Sequence, residues 1–307
     1  MALRTKIPAK CPIEVLRAGS LAKIVWLAHG FSTRHGGVSQ AYGGNALNLG
    51  FTTHDSRSAV ENNRQAFASA VLARPADTQL KCGQVPWPIV TARQIHSDLI
   101  HFVSSRPDYP LAGDGLITRT PNLLLAVMAA DCLPIMIVDT KQQAVGIFHA
   151  GWRGTLKRIA EKGAGELRRH FRSRPADMKA AIGPGIRDCC YQVGPEVREK
   201  FEGQFGYASS LFRETKESDE VRQKYPLLFL NQRAPGHGEH PEKIFLNLAE
   251  ANRRQLIDAG ISPQDISDLN RCTCCRPDVF FSHRAEKGMT GRMLAAVGVR
   301  ARSGTGN

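Results

Sequence analysis

The chain has 307 residues, 42% hydrophobic and 22% charged, enough apolar material for one large core or two modest ones and too much for disorder as a whole. Its 41 Lys and Arg outnumber its 28 Asp and Glu, for a formal charge of +13, which favours anionic partners such as phosphate esters, nucleotides or nucleic acid. No window approaches the about 18 continuous apolar residues of a spanning helix, MALRTKIPAKCPIEVL lacks the apolar core of a signal peptide, and eight cysteines in so long a chain do not make a secreted disulfide scaffold.

A cytoplasmic protein with free or metal-binding thiols is therefore expected, and its 28 glycines and 17 prolines predict short elements in an α/β or α+β arrangement. Residues 1–22 read as a loose basic start. KIVWLAHGFSTRHGGVS gives a strand over 23–29 that runs into a glycine turn at Gly36 and Gly37, leaving Arg34 and His35 on a loop tip. Ala59, Val60, Ala66, Phe67, Ala70 and Val71 recur near the helical period over 56–72, a surface helix with Ser56 or Ser58 as cap. IVTARQIHSDLIHFV (89–103) reads as two short strands around a polar break, and GDGLIT (113–118) as a turn entering a strand, so His96 and Asp114 both fall where strands meet loops.

NLLLAVMAADCLPIMIVD is too apolar to alternate and carries Pro134; it predicts a buried strand, a bend at 131–134 and a continuation to Asp139. AVGIFHA is a second buried strand, followed by a helix from about Thr155. The basic stretch LRRHFRSR (167–174) has one aromatic and no recognition pattern, so specific nucleic-acid binding is not expected. Residues 203–243, polar and interrupted by APGHGEHPEK, read as an insertion or lid. FLNLAEANRRQLIDAGI (245–261) predicts a helix capped at Gly260. No repeat or linker divides 23–300, which predicts a single domain, with 301–307 as a flexible tail.

Cys132 and His149 lie at neighbouring ends of two apolar runs. If residues 139–143 make a hairpin pairing Thr140 with Gln143, His149 stands opposite Pro134 and diagonal to Cys132 on one face; a one-residue slip would separate them. From the pair alone three readings stay open: part of a metal site with a further ligand, a thiolate nucleophile with His149 as base, or a buried cysteine beside a core histidine.

Six motifs, RQIHSD, AGDGLIT, AADCLPI, FHAGWRGT, AIGPGIRDCCYQVG and CTCCRPDVFFSHRAEKGMTGRM, resemble in this order the purine nucleoside phosphorylase family once called the multicopper polyphenol oxidase or laccase-domain family. The likeness runs from about HGFSTRHGGVS to TGRML. It implies an α+β sandwich of mixed sheets with flanking helices in a single compact domain, distantly like the cytotoxic necrotizing factor toxins. It also implies zinc held by His96, Cys132 and His149, and activity on purine nucleosides: phosphorolysis of adenosine, inosine, guanosine and methylthioadenosine, plus hydrolytic deamination of adenosine. Two departures stand out: Gly185 occupies a position where relatives often carry cysteine, and 203–243 is longer than typical.

Around such a zinc, Arg34 and then Arg153 are the candidate phosphate donors, since displacement of a base from ribose C1′ by phosphate needs cationic groups. Asn48 could orient phosphate or ribose, its amide donating and accepting without titrating, or could simply stabilise a turn. Asp114 could accept a proton or hold a ligand histidine, and Asp131 could brace the site less directly. Cys272 and Cys275, in C-x-x-C spacing around Cys274, and adjacent Cys189 and Cys190 admit a second structural zinc; the resemblance implies none, so buried free thiols are expected. His35, His54, His283 and the histidines of HGEH are expected at the surface or in packing. Competing functions are a copper-dependent phenol oxidase, a cysteine hydrolase or deamidase using Cys132 and His149, and a basic module binding polyanions.

Overall fold

The long apolar runs form two sheets that bury one face against each other, in a computed structural model that describes residues 13–73, 87–215 and 243–301. The first sheet has the order β1 (Val15–Leu16), β2 (Leu27–Ser32), β15 (Met293–Val299), β7 (Leu124–Ala129), β4 (Ile89–Val90). The second has the order β14 (Ile266–Asp268), β10 (Met178–Ile182), β8 (Leu133–Asp139), β9 (Ala144–Ala150), β6 (Gly115–Thr118), β5 (Ile100–Phe102). Both are mixed: β4 with β7, β5 with β6 and β10 with β14 are parallel, and the remaining pairs antiparallel. Between the sheets, Phe31, Leu125, Val127 and Val297 of the first meet Met136, Val138, Val145 and Ile147 of the second.

Helices cover both outer faces, which makes a four-layer α+β sandwich. Helix α2 (Arg57–Leu72) buries Val60, Phe67, Ala68 and Val71, and its Phe67, Ala68 and Val71 pack on the first sheet. Its N-cap is Ser56, whose hydroxyl accepts the Ala59 N–H. Helices α3 (Trp152–Leu156), α4 (Ile159–Phe171) and α6 (Leu248–Asp258) lie over the second sheet, and α6 ends before Gly260, which takes φ +92°. A small third sheet, β11 (Gln192–Val193), β13 (Lys243–Leu246), β12 (Phe212–Thr215), sits beside α5 (Pro195–Glu202). No helix among the described residues is long and apolar enough to cross a membrane.

Four expectations change. Within the stretch expected to be loose to residue 22, β1 pairs with β2 and α1 (Gly19–Ala22) lies behind it; β2 begins at Leu27, after Ile24 and Trp26 have turned onto the core. Gly36 and Gly37 lie within β3 (His35–Ser39), not at a turn, and a Cβ on Gly37 would stand 2.1 Å from the Ala46 carbonyl oxygen. Residues 203–215 are structural rather than lid-like, burying Phe205, Ala208 and Leu211; the rest of the expected insertion, 216–242, falls outside the described residues, as do 1–12 and 302–307. The run around Cys132 is not one bent strand: β7 belongs to the first sheet and β8 to the second, and the chain changes sheets at Ala130–Cys132. The β8–β9 hairpin keeps the register read from the sequence, with Pro134 opposite His149.

Phe148 shows how tightly α4 seats on β9. Its ring fills space vacated by glycines: a Cβ on Gly163 would come within 2.5 Å of it, and one on Gly146 within 2.7 Å. Phe148→Ala is expected to cost about 3–5 kcal/mol in urea unfolding, and Gly163→Ala about 1–3 kcal/mol through overpacking.

Candidate metal centre

Asp114, at the mouth of β6, is almost wholly buried and organises the centre. Its carboxylate accepts the N–H groups of Ile95 (3.2 Å), His96 (3.1 Å) and Ser97 (2.6 Å) and the Ser97 hydroxyl (2.7 Å), so the loop before β5 wraps around one anion. His96 turns at φ +56° within that loop. From the other side, the Nδ1–H of His149 donates to Asp114 Oδ1 at 2.8 Å. That bond commits Nδ1 and leaves Nε2 of His149 to face Cys132. The sulfur of Cys132 is 3.9 Å from His96 Nε2, and the donor atoms of His96, Cys132 and His149 all lie within 4.8 Å of one another. Gly151 keeps this space open, because a Cβ there would sit 3.0 Å from both Cys132 Sγ and His96 Cδ2.

The electrostatics follow from the same contacts. Burial alone would raise the Asp114 carboxyl, but His149 and the Ser97 donors outweigh it and bring it down to about 2. Burial likewise opposes charge on Cys132 and His149, yet each supports the other: His149, aided by His96, draws the thiol down to about 6, while Cys132 and Asp114 lift the imidazole to about 9. Without a cation these shifts favour a thiolate–imidazolium pair between about 6 and about 9.

Asp131 is the second brace. At φ +96° it turns the chain between the sheets; its carboxylate accepts the hydroxyls of Thr273 and Ser282, both at 2.7 Å, and the Arg284 N–H at 2.7 Å. Loops from 142 to 153 residues downstream thus hold the backbone that presents Cys132.

The donor set fits a borderline-soft cation. One thiolate and two imidazole nitrogens are the ligand types of zinc, and tetrahedral bonds of about 2.0–2.3 Å would set donors roughly 3.4–3.8 Å apart, close to the 3.9 Å between Cys132 and His96. Three protein donors leave one position for water or substrate, the pattern of catalytic rather than structural sites.

The other expected site residues fare differently. Arg34 is not on an open loop tip: its guanidinium donates to Glu286 at 3.1 Å and to the carbonyls of Pro277 and Tyr42, and stacks 4.7 Å over Phe281. Asn48 is fully buried and spends its amide internally, accepting from the N–H groups of Gly50 and Arg292 and donating to Gly50 and Asp55, so it braces loops instead of meeting a ligand. Arg153 is exposed at the start of α3, its guanidinium 4.3 Å over Trp152. His35, His54 and His283 are exposed as expected, while His237 and His240 lie outside the described residues.

Sequence reasoning passed over Ser97, Gly151, Tyr191 and Arg284. The phenol of Tyr191 is pushed well up by burial and by negative charge at Cys132, against the opposing pull of Arg284 and Arg153, so it stays protonated. Arg284 lies 5.7 Å from its ring. Both residues stand in the quoted motifs, but their separation from Cys132 along the chain hides the contact.

A sandwich whose sheet change presents a thiol to two imidazoles, one held through its ring and the other through its backbone by Asp114, defines a candidate metalloenzyme centre. Residues 28–300 match the family model described as multi-copper polyphenol oxidoreductase laccase, and the chain belongs to that family. It is 35% identical to a protein of Geobacillus stearothermophilus named purine nucleoside phosphorylase YlmD, over 88% of this chain and 89% of the relative. The crystal structure of YlmD from that organism superposes with a TM-score of 0.74 at 32% identity, covering 96% of this chain and 98% of that one. A protein of an unknown prokaryote named adenosine deaminase RL5 is 30% identical over 68% of this chain and 74% of its own. The protein is an enzyme of this family.

Asp114→Asn is expected to weaken metal binding about 10–100-fold, measured by chelator competition. In chelator-stripped protein, mass-spectrometric mapping of Cys132 alkylation should show a midpoint near 6, moved upward in Asp114→Asn because the imidazolium loses its counter-charge. The thermal stability of the stripped protein follows from the same two shifts. The Cys132 contribution is full above the free thiol value of 9.0 and lost as pH falls through about 6; that of His149 is full below 6.5 and lost as pH rises through about 9. Between about 6 and 9 the gain at Cys132 and the loss at His149 offset each other, so the pair by itself should leave the Tm nearly level across that range, and a steep rise or fall there would have to come from other groups.

Proposed function

We propose that the chain is a zinc-dependent purine nucleoside phosphorylase that also deaminates adenosine, acting in the cytoplasm. The observation that carries this reading is the convergence of His96, Cys132 and His149 on one point in a chain whose relatives are named for these two activities. Its substrates are adenosine, inosine, guanosine and methylthioadenosine with inorganic phosphate; the products are the free base and the sugar 1-phosphate.

His96, Cys132 and His149 would hold the zinc, which when bound supplies Lewis-acid polarisation and a water of lowered pKa. Asp114 keeps the proton on Nδ1 of His149 and so offers its Nε2 lone pair to the cation. It also sets the backbone of His96. In deamination, water adds at C6 of adenine and ammonia leaves. In phosphorolysis, a phosphate oxygen bonds to ribose C1′ while the C1′–N9 bond breaks, and the purine takes up a proton or a hydrogen bond. Arg153 and Arg284 are the candidate phosphate donors, and Tyr191, held neutral, is the candidate hydrogen-bond donor to the departing base. Arg34, engaged by three protein acceptors, supports the 282–286 turn through Glu286, which also accepts the Ser282 N–H.

The test is metal content together with adenosine and inosine turnover, with and without phosphate. Cys132→Ala should lose one equivalent of zinc and both activities. Arg153→Ala and Arg284→Ala should raise the KM for phosphate while sparing deamination; Arg34→Ala should depress both activities alike. A metal-free active enzyme would favour the cysteine-hydrolase alternative, to which the thiolate–imidazolium pair gives some support. Stoichiometric copper with phenol oxidation would favour the oxidase of the family description.

A further inference from the structure

Away from the triad, two loops on the far side of Asp131 bring four more thiols together. The segment 183–191 carries Cys189 and Cys190, and 268–276 carries Cys272 and Cys275; the four sulfurs all lie within 4.8 Å of one another. Cys275 Sγ is 3.4 Å from Cys189 Sγ and 3.3 Å from Cys190 Sγ. These are not the buried packing thiols expected from the sequence: Cys189 and Cys275 are exposed, and Cys190 and Cys272 half-buried.

The protein builds this cluster before any ligand arrives. Gly185 and Cys272 form a parallel bridge, through Gly185 N–H to Arg271 O at 3.1 Å and Thr273 N–H to Gly185 O at 3.2 Å. Arg187 clamps the same two loops with a paired donation to Asp268, both bonds 2.7 Å.

We propose that Cys189, Cys190, Cys272 and Cys275 bind a second zinc ion, which cross-links the two loops. Four thiolates around a zinc at about 2.3 Å would stand roughly 3.8 Å apart, so the sulfurs need only small adjustments. A four-sulfur tetrahedral set selects zinc among abundant divalent ions and leaves no open position, so the ion is structural. On binding, the thiols release their protons to solvent and the four sulfur lone pairs bond to the cation.

The ion would also steady the catalytic centre. The first loop continues into Tyr191, and the second carries Thr273, whose hydroxyl holds Asp131 beside Cys132. The cluster is therefore a positioning device for two elements of the pocket.

The test uses full-length protein purified under reducing conditions and reads metal, not activity. In Cys132→Ala, which disables the first centre, about one zinc equivalent should persist, and cobalt loading should give the intense charge-transfer and red-shifted ligand-field bands of a four-thiolate site. Adding Cys275→Ser should abolish both, whereas adding Cys274→Ser should leave them. A zinc-free Cys132→Ala protein, or a disulfide among the four cysteines in the reduced preparation, would overturn the proposal. Should the double variant fail to fold, cobalt titration of the wild type decides: a four-thiolate spectrum alongside the mixed nitrogen–sulfur one supports the second site, and the mixed spectrum alone refutes it.

Discussion

The buried carboxylate of Asp114 is the constraint on which the centre depends. Removing an ionised carboxylate from water is costly unless its lone pairs are matched by donors, and five donors converge here: three backbone N–H groups, one hydroxyl and the Nδ1–H of His149. Satisfying the anion forces the 95–97 loop into a tight wrap and fixes the tautomer of His149. One group thus fixes the His149 ring and the His96 backbone while itself taking no place among the three ligands.

The same logic explains where the site lies in the fold. Three of its parts come from places where the chain leaves a sheet: His96 between β4 of the first sheet and β5 of the second, Cys132 between β7 and β8, and His149 near the end of β9. Changing sheets demands sharp turns, and both His96 and Asp131 adopt positive φ, conformations that non-glycine residues take at a cost. The hydrogen bonds to Asp114 and Asp131 offset that cost, so the strain and the ligand geometry share one support.

A wider consequence is that the pocket is assembled from segments remote in sequence. Tyr191 and Thr273 reach the Cys132 region on two loops joined to each other by Arg187, Asp268 and the cysteine cluster, and Arg284 reaches it through its N–H on Asp131. Arg153 on α3 and Arg284 both act on the Tyr191 phenol, so part of the net basic composition is expressed beside the centre.

Local sequence was enough for the elements with a strong period or punctuation: α2 with its Ser56 cap, α6 with Gly260 behind it, and the β8–β9 register that sets His149 opposite Pro134. It also marked Cys132 and His149 as a pair and, through motif likeness, His96 as the third donor, because short-range turn geometry and ordered motifs survive in one dimension. What only tertiary structure decided depends on contacts between distant segments. Nothing in AADCLPI says that the bend carries the chain from one sheet to another, or that Asn48 is consumed by Gly50, Asp55 and Arg292. The spacing of Cys189 and Cys190 likewise carries no sign of the 3.3 Å and 3.4 Å approaches to Cys275. Hydrophobic periodicity specifies which face of an element is buried, but the partner that covers it, and the polar groups that meet as a result, are set by packing over the whole sandwich.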